Sequence, residues 1–225
     1  TRAPGVSING VSGDPGSRNS KNSATLSSLY VEDNIALTDS TEVIPGLRFD
    51  YHDTFGANWS PSLNISQALG DSFTLKAGIA RAFKAPNLYQ SSEGYLLATR
   101  GNGCPVNVAR GSCYLLGNEN LDPEVSVNKE LGIEYSQQGY IAGITWFRND
   151  YKNKIVSGTE VLGYASNGNN ILQWSNGGKA VVEGLEGNVT IPLVRDTLEW
   201  RTNATYMIES KDKETGNPLS IIPKY

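Results

Sequence analysis

The sequence predicts an all-β fold, an antiparallel up-and-down transmembrane β-barrel section of about nine strands, and three observations carry that prediction. Several segments alternate apolar and polar residues with a period of two, over the roughly 9–11 residues that a tilted membrane strand needs. Short and long links alternate along the 225 residues, as they must in a meander with turns on one side of a bilayer and loops on the other. The composition agrees: 24 glycines, eleven tyrosines and four tryptophans suit β-structure with interfacial aromatics. The mean hydropathy is only −0.35, because barrel strands hide their hydrophobicity in alternation.

Taken in order, residues 1–22 read as the tail of a polar loop, with no signal peptide at the start. Leu26–Leu37 offers Leu29, Val31, Ile35 and Leu37 on one face, interrupted by Asp33. In Thr41–Tyr51, Val43, Pro45, Leu47, Phe49 and Tyr51 oppose Ile44, Arg48, Asp50 and His52. Ala57–Leu69 sets Trp59, Leu63 and Ile65 against Ser60, Asn64 and Ser66. Phe73–Phe83 places Arg81 on the face of Phe73, Leu75 and Ile79, which suggests an interfacial position or a bulge. Val125–Tyr135 follows, then Tyr140–Asn149, whose outward face periodicity does not settle. Val181–Leu193 opposes Val181, Leu185, Val189 and Ile191 to Glu186, Asn188 and Thr190. Thr197–Glu209 opposes Leu198, Trp200, Ala204, Tyr206 and Ile208 to Glu199, Arg201, Asn203, Thr205 and Glu209. Leu219–Tyr225 looks like a ninth strand cut short, so both ends read as those of a fragment. Prolines 45, 61 and 192 each forfeit a ladder hydrogen bond and belong near strand ends.

The tight links are Thr38–Ser40, Gly70–Asp71, Gln137–Gly139 and Arg195–Asp196; the wide ones are Asp53–Gly56, Phe83–Pro123, Tyr151–Asn176 and Ser210–Pro218. No helix with amphipathic spacing and caps stands out. A soluble secreted carbohydrate-binding β-sandwich is an alternative, but Greek-key crossings do not require this rhythm. A passive porin or adhesin barrel section is another.

A net charge of −4 gives no bulk attraction to nucleic acid. Enzyme signatures are missing: no nucleophile elbow, no phosphate-binding glycine loop and no H-E-x-x-H. The single histidine, His52, sits inside a strand pattern and reads as a polar lumen-facing or loop-base residue. Glu183 and Glu186 mimic a glycosidase pair but read as solvated charges, so the chain reads as no enzyme. Cys104 and Cys113 share one loop. In an oxidising compartment they would form a disulfide; in a reducing one, a free pair or half a metal site.

That loop, Phe83–Pro123, concentrates the chemistry. Lys84, Arg100 and Arg110 accompany Tyr89, Tyr95 and Tyr114, a mixture that suits an anionic aromatic ligand because guanidinium groups meet oxyanions and stack on rings. Loop Tyr151–Asn176 adds Trp174. An ordinary polar loop with packed tyrosines has the same composition.

The motifs FKAPNLYQ (83–90), GNGC (101–104), VNKE (127–130), TWFRNDYKNKI (145–155), VEGLEG (182–187) and LSIIPKY (219–225) span most of the chain. They resemble the TonB-dependent outer-membrane receptors for ferric catecholate siderophores, the enterobactin and salmochelin receptors. The resemblance implies that residues 1–225 are a section of a 22-stranded barrel of the Gram-negative outer membrane. It places extracellular loops near 83–123, 151–176 and 210–218. It also implies a Cys104–Cys113 disulfide, and a ferric siderophore held by Arg100, Arg110, Lys84, Tyr95, Tyr89, Tyr114 and Trp174. A basic residue precedes G-x-G-C in the enterobactin-receptor pattern, and Arg100 stands there; Pro105 departs from it and looks more like the salmochelin version. Arg48, Asp50, Glu130, Glu134, Glu199 and Arg201 would line the lumen. No cofactor would be bound by protein side chains, iron arriving only inside the siderophore. Outer-membrane lipid would be a partner, as would TonB through an N-terminal box and plug outside these residues. Bacteriocins or phage using the same loops also fit the resemblance.

Overall fold

The alternating segments pair in sequence order into one antiparallel sheet, and the two longest links build a second, smaller one. A computed structural model of the chain describes residues 8–9, 22–99, 104–105, 112–165, 167–194, 197–213 and 216–219. In chain order the elements are β1 (Ile8–Asn9), β2 (Leu26–Glu32), β3 (Ile35–Thr38), β4 (Thr41–His52), β5 (Gly56–Leu69), β6 (Phe73–Lys84), α1 (Leu88–Ser91), β7 (Leu96–Thr99) and β8 (Cys113–Leu116). They continue with β9 (Glu124–Gln137), β10 (Tyr140–Lys152), β11 (Ile155–Ser157), β12 (Gly163–Ala165), β13 (Asn170–Asn176), β14 (Ala180–Val194) and β15 (Leu198–Asp212). Among these residues no helix is long and apolar enough to cross a membrane, which says nothing of crossing by strands.

The larger sheet runs β15-β14-β10-β9-β6-β5-β4-β2, with β3 also on β4. The ninth strand expected at 219–225 lies almost wholly outside the described residues, as does the turn at 195–196. The tight links at 39–40, 70–72 and 138–139 fall at one end of this sheet; the wide links fall at the other.

Register carries the alternation from strand to strand. Phe49 pairs with Trp59, Leu63 with Ile79, Leu75 with Ile133, Leu131 with Trp146 and Leu185 with Tyr206. Cross-strand apolar pairs of this kind are the unit that stabilises a sheet, and here they merge into one apolar face. None of the described residues covers it: Leu47 is 40% exposed, Leu198 53% and Trp200 59%. The centre of a closed globule would have buried these residues, so a soluble sandwich is set aside. At about 3.4 Å per residue and a tilt near 40°, Val43 to Tyr51 spans roughly 20 Å of bilayer normal, close to the apolar band of a barrel.

Some details depart from strict periodicity. Asp33 does not break the first strand's register; its amide donates to the Pro45 carbonyl at 3.2 Å. In β10 the ladder places Ile144 and Trp146 on the apolar face. No bulge occurs at Arg81, which pairs with Val127. The β5–β6 ladder begins at Ser62, just past Pro61, and the Arg81 guanidinium satisfies the Trp59 carbonyl there. A register shift between Glu183 and Gly184 skips Ile208, so that Glu183 pairs with Glu209. Glu209 therefore joins the apolar face, not the polar face that periodicity assigned to it.

Helix is nearly absent from the described residues, as the sequence suggested, and α1 forms one short turn. Gln90, 6% exposed, accepts the Asn87 amide at 2.9 Å and closes its first turn. The smaller sheet, β1-β12-β13-β8-β7 with β11 on β13, is built almost entirely from the wide links.

Candidate functional site

The loop segment CYLL of β8 is apolar without alternation and buries both faces; in ILQW of β13 the adjacent Ile171 and Leu172 do the same. They meet as parallel neighbours, Ile171 beside Tyr114, Leu172 beside Leu115 and Gln173 beside Leu116. Leu96, Leu115, Ile171 and Leu172 are at most 2% exposed. Burying each contributes about 1.5–3 kcal/mol, so the platform has a core of its own. Polar clasps add to it. Asn118 Nδ2 donates to the Trp174 carbonyl at 2.8 Å, Gln173 Nε2 to the Gly117 carbonyl at 3.1 Å, and Asn176 Nδ2 to the Asp122 carbonyl at 2.8 Å. Gly117 is a point of close approach, where any Cβ would overlap the Ser92 carbonyl.

Cys104 and Cys113 are joined in a disulfide across a sequence separation of nine residues. Thr99 Oγ1 lies 2.7 Å from Cys104 Sγ and donates to the Cys113 carbonyl at 3.1 Å. Closing so small a ring contributes about 2.5–3 kcal/mol in the chain-entropy model. Replacing both cysteines with serine is expected to speed proteolysis within residues 96–116 while leaving the strands of the larger sheet protected. Unchanged cleavage would refute this bracing role.

Several of the sequence-predicted ligand residues come together on this platform. Tyr89, 37% exposed, lies with its ring centroid 6.3 Å from Tyr95 and 6.0 Å from Trp174, the latter edge-on. Trp174 Nε1 is buried and has no hydrogen-bond partner among the described residues. Tyr114 does not join them. It is 8% exposed, and its hydroxyl accepts Asn167 Nδ2 at 2.9 Å, a placement that gives its ring to the loop core. Lys84 is exposed but commits its ammonium to Glu124 at 3.0 Å. Arg100 and Arg110 lie outside the described residues.

Between the polar face of the larger sheet and the loop segments around α1 and Glu119 lies an open cleft of about 1190 Å³. Arg48, Asp50 and Lys84 line it, together with Asn87, Glu119 and Asn120, which periodicity had no means to single out. Asp50, 3% exposed, holds Arg48 at 2.9 Å. His52 is 6% exposed and accepts the Thr54 amide on Nδ1 at 3.1 Å. In the neighbouring turn, the Thr25 amide donates to Asp53 and holds its carboxyl below the usual carboxylate range. Glu130 and Glu134 share the polar face, Glu134 pairing with Lys76 at 3.2 Å. So do Glu199 and Arg201, which pair with each other. Cations, carboxylates and stacked rings at the wide-link end can bind a large anionic aromatic molecule by charge and stacking together.

Comparison with known proteins points the same way. The family described as "TonB dependent receptor-like, beta-barrel" matches residues 1–225. The ferric enterobactin receptor PirA of Pseudomonas aeruginosa is 66% identical over 210 residues, 93% of this chain and 28% of that protein. The ferrienterobactin receptor of Escherichia coli is 54% identical over 221 residues, 98% of this chain and 29% of that protein. Among solved structures, a ferric enterobactin receptor mutant from Pseudomonas aeruginosa in complex with enterobactin superposes with a TM-score of 0.76 at 55% identity. It covers 93% of this chain and 31% of its own. The chain thus spans less than a third of the length of the curated relatives it matches.

Proposed function

The chain belongs to the TonB-dependent receptor β-barrel family, and we propose that it supplies wall and vestibule to an importer of ferric catecholate siderophores, with ferric enterobactin the leading ligand. Its location is the outer membrane of a Gram-negative bacterium. The apolar face of the larger sheet meets lipid, and the polar face lines the lumen of a barrel that closes with the remaining strands, 22 in all. The wide links, near 83–123, 151–176 and 210–218, are extracellular loops. TonB supplies the energy through parts of the receptor outside this chain. The relatives' names describe transport receptors, and no catalytic step is assigned to this piece.

The observation that carries the reading is the shared core of the two long loops, on which Tyr89, Tyr95 and Trp174 form one aromatic group. Catecholate rings stack on such a group, while the complex's negative charge meets Arg100, Arg110 and, once released from Glu124, Lys84. Charge-assisted hydrogen bonds contribute about 1.5–3 kcal/mol each. Replacing both Arg100 and Arg110 with alanine in the full-length receptor is therefore expected to weaken ferric-enterobactin binding at least about tenfold. The Tyr89→Ala, Trp174→Ala pair should weaken it comparably. Fluorescence-quenching titration reads both, and unchanged affinity in the arginine variant would remove those cations from the site.

A further inference from the structure

We propose that the apolar face carries, immediately beyond its wide-link edge, a docking site for the phosphorylated glycolipid headgroups of the outer leaflet. The proposal rests on reading this sheet as a membrane wall. On β9, β10, β14 and β15 the change from apolar to charged occurs at one level of the ladder. Leu131, Trp146 and Leu185 share a row; the next row towards the loops is Lys129, Arg148, Glu183 and Glu209. One row further stand Asp150 and Lys211, then Lys152.

This is a built cluster. Asp150 draws in Lys129 at 3.1 Å, Arg148 at 3.2 Å and Lys213 at 2.7 Å. Arg148 also reaches Glu183 at 2.8 Å, and Lys211 pairs with Glu209. Trp146 sits in the last apolar row and donates its indole N–H to Glu183 at 2.9 Å, the posture of a tryptophan at a membrane interface.

Mutual neutralisation would need equal numbers of each sign. Among the described residues five cations, Lys129, Arg148, Lys152, Lys211 and Lys213, face three carboxylates, Asp150, Glu183 and Glu209. The excess is two positive charges (five minus three) in a chain whose net charge is −4. Part of each lysine stays accessible, the side chains of Lys129, Lys211 and Lys213 being 41%, 44% and 35% exposed. Among the described residues the opposite edge of the same face has no counterpart. Its described strand positions include Phe73, Tyr135, Gln137, Tyr140 and Leu198, without a lysine or arginine. A positive rim on one edge of a lipid-facing band, at headgroup depth, matches a leaflet whose headgroups carry phosphates. The carboxylates hold the ammonium groups in place for them.

The test uses the full-length receptor, purified in detergent and offered lipid A with both phosphates, dephosphorylated lipid A, or phosphatidylglycerol; lipid retained after washing is counted by native mass spectrometry. The receptor should retain diphosphorylated lipid A at least about tenfold better than the dephosphorylated form, and better than phosphatidylglycerol. The Lys129→Gln, Lys211→Gln, Lys213→Gln variant should lose that preference while ferric-enterobactin affinity is kept. Equal retention of the two lipid A forms by the unaltered receptor overturns the proposal, whatever the variant does. Retention that the variant does not lower overturns it too. Stronger retention of phosphatidylglycerol would also overturn it, since any anionic lipid would then serve. If the membrane-wall reading itself failed, the receptor would not fractionate with the outer membrane at all, which is a separate result.

Discussion

A full-length receptor carrying Leu172→Asp is expected to lose ferric-enterobactin affinity by a hundredfold or more, on the order of 3 kcal/mol, while still fractionating with the outer membrane. Leu172 has no exposed surface, and it packs with Leu115 and the two cysteines. Aspartate there removes about 1.5–3 kcal/mol of burial and adds the cost of an unpaired carboxylate away from water. The platform has only two small buried clusters to set against this, so it should open. The larger sheet has its own unbroken ladders and should persist. Gly117→Val reaches the same end by another route, since its side chain must displace the Ser92 backbone. Hydrogen exchange across residues 113–118 and 170–176 reads the opening, and quenching titration reads the affinity. Affinity within twofold of the unaltered receptor would show that the ligand does not depend on this platform.

The wall was legible in the sequence and the platform was not, for one physical reason. A strand with lipid on one side and water on the other must alternate, so Phe49 against Asp50, or Trp200 against Arg201, already declares its faces. A strand buried on both sides has no such obligation. CYLL is a four-residue apolar run with no period and ILQW one broken only by Gln173; they pair in parallel across more than fifty residues of chain, where no turn residue announces a partner. The same limit applies to Glu209, because the register shift opposite Glu183 and Gly184 skips Ile208 of β15, and nothing in the alternation of β15 marks that extra residue. Resemblance brought the cations and rings of the ligand set to one loop. Only coordinates could show that Tyr114 turns inward while Tyr89 and Trp174 meet across two loops.

Ile144→Arg and Val127→Arg on the same face should differ sharply, and the difference measures where lipid ends. Ile144 is 50% exposed, pairs with Ile133, and lies between Tyr140 and Trp146 in the middle of the apolar band. An arginine at the midplane of a barrel wall costs about 2–4 kcal/mol, falling to about 0–1 near the interface. Val127 stands above the charged row, opposite Arg81 on one side and Asp150 on the other. An arginine there reaches headgroups and a carboxylate, so its cost should fall at the lower end. Urea-dependent folding of the full-length receptor into lipid vesicles supplies both numbers. Equal costs at the two positions would mean that no lipid boundary lies between them, and the apolar face would have to be covered by protein.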